Sequence, residues 1–242
     1  NITPDQIYTW SDANKTTPKT SAPALADAME LFRPYAEAGR EIVCFSISAG
    51  MSTSGNVMRL AAEELGASDR IKVIDSANLS TGIGLLVIEA AIMAKNNRTA
   101  SQIVSEIERL KPNVRASFVV DTLTYLYRGG RCNAVAAMAG GILKLHPRIV
   151  VEDGAMNASK KYREKIASVV MNYVKDMEKD LKKARPERVF ITHPGCEQET
   201  VEKVRAYLKE LDIFDEILET RAGGVVSSHC GPGTLGVLYI AK

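Results

Sequence analysis

Glu41-Ile-Val-Cys-Phe-Ser-Ile-Ser-Ala-Gly-Met-Ser-Thr-Ser-Gly55 is an apolar run that gives way to a loop of small and hydroxyl residues. A short run of this kind, rich in β-branched and aromatic side chains, reads as a buried strand over Glu41 to Ser48. Helical spacing resumes over Ser54 to Leu65. The same succession follows downstream, with a strand at Ile71 to Ile74 ending in Asp75-Ser76 and a helix over Leu79 to Lys95. Thr99 and Gln102 have capping-box spacing before the stripe Ile103, Ile107 and Leu110, and Arg115 to Val120 reads as a third strand. Strands alternating with helices predict a parallel sheet with crossover helices, an α/β fold.

Upstream, Asn1 to Thr17 is polar with Tyr8 and Trp10 as anchors, and it does not read as the start of a domain. In Pro18-Lys-Thr-Ser-Ala-Pro23, Ser21 is expected to cap a helix with Pro23 in its first turn, and Pro34 to bend or end that helix. After Asp121 the pattern changes. Leu123 to Arg131 reads as a short helix stopped by Gly129-Gly130, and Ala134 to Leu143 as a helix of small residues. Glu152-Asp-Gly154 is a hairpin signal between two strands. A long amphipathic helix follows over Ile166 to Leu181, then a strand at Arg188 to Thr192, a helix stripe from Val201 to Leu211, and strands at Ile213 to Thr220 and Leu235 to Ala241. Two domains are expected, residues 1–120 and 121–242.

A net charge of +2 with no long basic block makes nucleic acid a poor partner. No apolar run is long enough for a membrane span and no leader pattern opens the chain, so a cytoplasmic location is expected. The four cysteines form no Cys-x-x-Cys pair, and Asp75 and Asp121 have no second acid or His close in sequence, so no metal site is expected.

The candidate functional residues gather where extended segments pass into helices. Thr20, Ser21, Ser52 and Ser54 stand at such places, where hydroxyls and helix amides can face an anionic group, although each could merely cap its helix. His229 lies in Ser227-Ser-His-Cys-Gly-Pro-Gly-Thr-Leu-Gly236, whose glycines and proline suit a sharply bent loop. The residues alone leave three readings open. They are a carrier of an anionic ligand, a hydrolase or acyl-transfer enzyme using Ser52 or Ser54 with His229, and a module for some other small anion. Against the enzyme, the chain has no Gly-x-Ser-x-Gly elbow, and it has neither a dinucleotide fingerprint nor a phosphate loop.

Taken together, the motifs resemble those of the DegV family. They run in order as Lys19-Thr-Ser-x-Pro23, Ile47-Ser48-x-x-Met51-Ser52, Val73-Ile74-Asp75-Ser76 with Ser80-x-Gly82-x-Gly84, Leu123-x-Tyr125-Leu126-x-x-Gly129-Gly130-Arg131, Lys144-x-x-Pro147 and His229-x-Gly231-Pro232-Gly233. The resemblance covers essentially the whole chain. It implies a two-domain fold, a parallel-sheet N-terminal domain and an α/β C-terminal domain, with a fatty acid buried between helices and sheet and its carboxylate near the interdomain cleft. It also implies a non-catalytic carrier in bacterial phospholipid metabolism, which presents a long-chain fatty acid to a separate ATP-binding fatty acid kinase and needs no cofactor. Thr20, Ser52 and His229 look like the carboxylate-binding network, with Ser21, Thr53 and Ser54 beside them, and Arg131 looks like a residue that meets the kinase. Thr53 replaces the family's usual glycine, so a backbone amide contact there is expected to differ. The family normally opens with a further strand and an Asp-Ser motif, and here only a short polar segment precedes Lys19, so the expectation is either that the chain was cut or that its first strand lies on a separate N-terminal piece.

Overall fold

The computed structural model describes residues 2–131 and 145–242. The expected helix over Ala134 to Leu143 lies outside them, as do Cys132 and Lys144. The chain forms two units, one from the described residues of Ser21–Val114 and Asp153–Ala155, the other from those of Asn1–Thr20, Arg115–Glu152 and Met156–Lys242. The division at residue 120 differs from this in assigning the first twenty residues and the third strand to the first unit.

In the smaller unit, β1 (Ile42–Ser46) and β2 (Ile71–Asp75) pair in parallel, Ile42 opposite Ile71 and Ser46 opposite Asp75. Around them lie α2 (Leu25–Glu37), α3 (Ser54–Glu64), α4 (Thr81–Lys95) and α5 (Ala100–Leu110). Ala28, Phe32 and Ala36, spaced by four, give α2 one buried face, which packs on Ala61, Ala62 and Ile71. Two details correct the sequence reading. Ser21 is exposed and caps nothing, because α2 begins after Ala24 without a side-chain cap. Pro23 biases the residue before it towards extended backbone, and the helix starts beyond. Pro34 lies within α2, which runs on to Glu37. At this late position the proline forfeits a single helical hydrogen bond.

In the larger unit, the described residues form a six-stranded sheet in the order β5-β4-β3-β8-β6-β7. The strands are β3 (Val114–Val119), β4 (His146–Glu152), β5 (Ala155–Tyr162), β6 (Ala184–His193), β7 (Glu216–Arg221) and β8 (Leu235–Ala241). β6 pairs in parallel with β7 and antiparallel with β8. β3, expected to extend the parallel sheet, instead pairs antiparallel with β4. Its four consecutive buried residues, Ala116 to Val119, suit any doubly covered strand and do not specify a partner.

α7 (Ile166–Asp176), the short α8 (Glu178–Leu181) and α9 (Gln198–Glu210) supply Val170, Leu181 and Val204 to the core of this sheet. The single helix expected over Ile166 to Leu181 is thus interrupted at Met177. The fully buried Tyr173 donates its hydroxyl to Ser117 O at 2.7 Å and accepts from Val237 N at 3.0 Å, so one side chain ties β3 to β8. Two more helices belong here, α6 (Thr124–Gly129) and α10 (Gly224–Cys230). The polar N-terminal segment is also helical. In α1 (Pro4–Asn14), Thr3 and Gln6 form a reciprocal capping box with Pro4 in the first turn.

Candidate functional site

His229 sits in the last turn of α10, not in the loop where the sequence placed it. Ser227 and Ser228 donate to Gly223 O and Gly224 O at 2.9 and 2.8 Å, and Thr234 donates to Cys230 O at 2.8 Å, so side-chain hydroxyls serve the short helix's carbonyls. Gly231 ends it with φ 73°, its α-carbon pressed against the Tyr125 ring, where a side chain would be both strained and blocked.

The His229 ring is held between two segments distant in sequence. Its Nε2 lies 2.7 Å from Thr20 Oγ1. Its Nδ1 is buried, finds no hydrogen-bond partner among the described residues, and faces the bare α-carbon of Gly129 at the end of α6. Burial holds the imidazole below its ordinary pKa, and the cations of Arg131 and Lys19 push in the same direction. The ring is therefore neutral at pH 7, with one proton to place. A proton on Nδ1 would leave a buried N–H unpaired, which costs more than an idle lone pair. The arrangement thus favours Nε2–H donating to Thr20 Oγ1, which frees the threonine hydroxyl hydrogen to donate elsewhere. Thr20 and His229 are both half-buried. The exposed Lys19 donates to Arg128 O at 3.2 Å, and the exposed Arg131 donates through Nη1 to Gly129 O at 2.8 Å. A neutral donor pair with two cations in electrostatic reach suits an anion.

The second cluster belongs to the smaller unit. Ser48, almost fully buried, donates to Gly154 O at 2.6 Å and accepts from Gly50 N at 3.2 Å. Its carbonyl accepts from the amides of Met51 and Ser52, closing a tight turn after β1. Ser52 Oγ then accepts from Ser54 N at 3.2 Å and lies 2.8 Å from Ser54 Oγ. Ser52 thereby serves the first turn of α3, while Thr53 at its N-cap is exposed and makes no side-chain capping bond. Asp75 accepts from the amides of Ala49, at 3.3 Å, and Ala77, at 2.9 Å, so its carboxylate braces two loops. Of the sequence candidates, then, Thr20 meets His229 and Ser52 meets Ser54, whereas Ser21, Thr53 and Arg131 stand exposed.

Lys19, Tyr125 and Gly129 were not singled out for the site from sequence. Each was present inside a quoted motif, but the Gly129-Gly130 pair read as a helix stop, and nothing local shows that one of those glycines abuts a histidine a hundred positions away.

The model of the family described as "Uncharacterised protein, DegV family" matches residues 1–242. The chain belongs to the DegV family. A DegV domain-containing protein of Deinococcus radiodurans is 32% identical to it over 234 residues, 96% of this chain and 81% of that protein. Protein DegV of Bacillus subtilis is 25% identical over 229 residues, 93% of this chain and 79% of that one. Among solved structures, a fatty-acid-binding DegV family protein from Thermus thermophilus superposes with a TM-score of 0.90 at 26% identity, covering 100% of this chain and 85% of that one. A stearic acid-binding protein from Eubacterium ventriosum gives 0.83 at 27% identity, covering 100% and 84%. The DegV architecture of a parallel-strand sheet and a mixed sheet is therefore that of this chain. Among the described residues of this DegV chain, no helix is long and apolar enough to cross a membrane.

Proposed function

We propose that this chain is a fatty-acid carrier that holds the ligand's carboxylate at Thr20 and His229 and presents it to a separate ATP-dependent kinase for conversion to an acyl phosphate. The observation that carries the head-group assignment is the 2.7 Å contact of Thr20 Oγ1 with the Nε2 of a neutral, half-buried histidine. It leaves a polarised hydroxyl as donor, and Lys19 and Arg131 supply favourable field without a buried ion pair. Ser21, Ser52, Thr53 and Ser54 are proposed as further hydroxyl contributors. The names of the Thermus thermophilus and Eubacterium ventriosum relatives support the ligand class. Energetically the class is reasonable, because burying about fourteen methylenes at roughly 0.8 kcal/mol each yields a gross gain near 11 kcal/mol, enough for tight binding after association costs. In the larger unit the partner of His229 is a threonine that caps no helix, whereas Ser52 and Ser54 bond to each other. These contacts favour binding over serine-based hydrolysis, and no cofactor is required.

The test is mass spectrometry of lipid extracted from purified, denatured protein, with calorimetry of the delipidated chain against fatty acids of about twelve to twenty carbons. A co-purifying fatty acid and saturable binding are expected. Failure to bind any of them would end the carrier reading, and Ser52-dependent ester turnover would replace it with the enzyme.

A further inference from the structure

We propose that α1 is a strap that positions Thr20 against His229, with Tyr8 as its positioning residue. The inference rests on Thr20 and His229 being the head-group pair.

Only five residues, Lys15 to Lys19, separate α1 from Thr20, so where α1 docks decides where Thr20 can be. Within the larger unit α1 docks on three supports of His229. Ile7, 2% exposed, puts its Cδ1 where it leaves little room beyond the bare α-carbon of Gly224, the first residue of α10. Tyr8 stands edge-on to Tyr125, with ring centroids 5.8 Å apart and planes at 89°, and Tyr125 is the ring on which Gly231 rests at the other end of α10. The Tyr8 hydroxyl donates to Pro194 O at 2.8 Å, and the next carbonyl, Gly195 O, accepts from Gly233 N at 3.0 Å. Burial pushes the Tyr8 pKa up to about 12, so this hydroxyl remains a donor at any working pH. Tyr8 therefore touches both the ring under α10 and the loop that braces the turn after it.

The strap is otherwise thinly held. Ile7 and Ser11 are its buried residues, Trp10 is 44% exposed, and the Asp5–Arg221 pair at 2.8 Å lies at the surface, where such pairs contribute little. Segments with few buried contacts open at the lowest cost. Five residues can span about 17 Å when extended, so with α1 undocked the segment before Thr20 is held by the buried Thr17 and by the bond of Lys19 to Arg128 O.

The experiment uses the full chain with ¹⁵N-labelled histidine. It compares wild type, Tyr8→Phe, Thr20→Val, the double variant, and Tyr162→Phe as a control that loses a hydroxyl bond of the same unit away from the strap. Tyr8→Phe keeps the ring on Tyr125 and removes the hydroxyl's bond to Pro194 together with its side-chain interaction with Ser227 of α10. It is expected to move the His229 Nε2 resonance towards its position in Thr20→Val, to speed hydrogen exchange over residues 15–20, and to weaken palmitate binding about three- to tenfold. Added to Thr20→Val, it should cost nothing further in affinity. Tyr162→Phe should lower the melting temperature without moving the resonance or the affinity. An unmoved His229 resonance in Tyr8→Phe, or additive losses in the double variant, would overturn the strap. If wild type binds no palmitate, the carrier reading fails, while the resonance and exchange measurements still decide the strap.

Discussion

Gly129 presses its bare α-carbon against the Nδ1 edge of His229, and a methyl group added there would overlap the ring. One glycine at the end of a short helix thus fixes how far the imidazole can retreat from Thr20, which stands on the opposite, Nε2 side. Gly129→Ala should force the ring or α6 to shift, a strain of about 1–3 kcal/mol. Affinity for fatty acid is expected to fall at least tenfold while Gly130→Ala, at an open position with φ 65°, destabilises without selectively weakening binding. Calorimetry beside thermal melting separates the two, and equal behaviour of the two variants would remove Gly129 from the site.

Thr20→Val and His229→Ala each delete one partner of the 2.7 Å contact. If that contact orients a donor at a partly desolvated carboxylate, each should cost about 1–3 kcal/mol of binding free energy, and the two should be strongly non-additive. Losses for the matching fatty alcohol should be smaller. Equal losses for acid and alcohol would show that the pair supports the fold and not the head group.

Acidification provides an independent check. The folded-state pKa of His229 is depressed, so between that value and the unfolded value near 6.5 the unfolded chain binds more protons, and stability rises with pH. Its contribution is complete above about pH 6.5 and is lost as pH falls through the folded-state pKa. His229→Gln should flatten that part of the denaturant-midpoint profile between pH 7 and 5. An unchanged slope would place the titrating groups elsewhere.

The parallel pairing of β1 with β2 followed from two apolar runs joined by a helical stripe, and local sequence carries that information fully. α1 left a fainter trace. Its outer face is polar and its stripe nearly absent, so Thr3-Pro4-x-Gln6 was the available sign of a helix. β3 was recognisable as a strand but not as a neighbour of β4, because an apolar run records burial and not the identity of what buries it. The site divides in the same way. Thr20 and His229 stood out as residue types in suggestive loops, but their contact joins positions 209 apart and depends on α1, α6 and α10 packing together. The turn at Ser52 was local, and there the capping role proposed beside the functional one is visible in the bond from Ser54 N.

Arg131 tests the proposed presentation to a kinase. It follows Gly130, which leaves α6 with φ 65°, and it is exposed, with Nη1 donating to the carbonyl of Gly129. That bond orients the guanidinium, and among the described residues no partner is seen for the rest of its planar donor fork, which suits a partner's carboxylates or phosphates. The same residue acts electrostatically on His229, so a partner engaging Arg131 approaches the Thr20–His229 contact. Arg131→Gln should leave the melting temperature nearly unchanged, since an exposed side chain contributes little to stability. Fatty-acid affinity should fall only about twofold or less, through loss of a surface charge. Acyl phosphate formation with kinase and ATP should drop tenfold or more, and Arg131→Lys should restore only part of it because it keeps the charge and loses the fork. Full phosphorylation of the Gln variant would take Arg131 off the partner surface, and a large loss of lipid affinity would place it among the groups that hold the carboxylate.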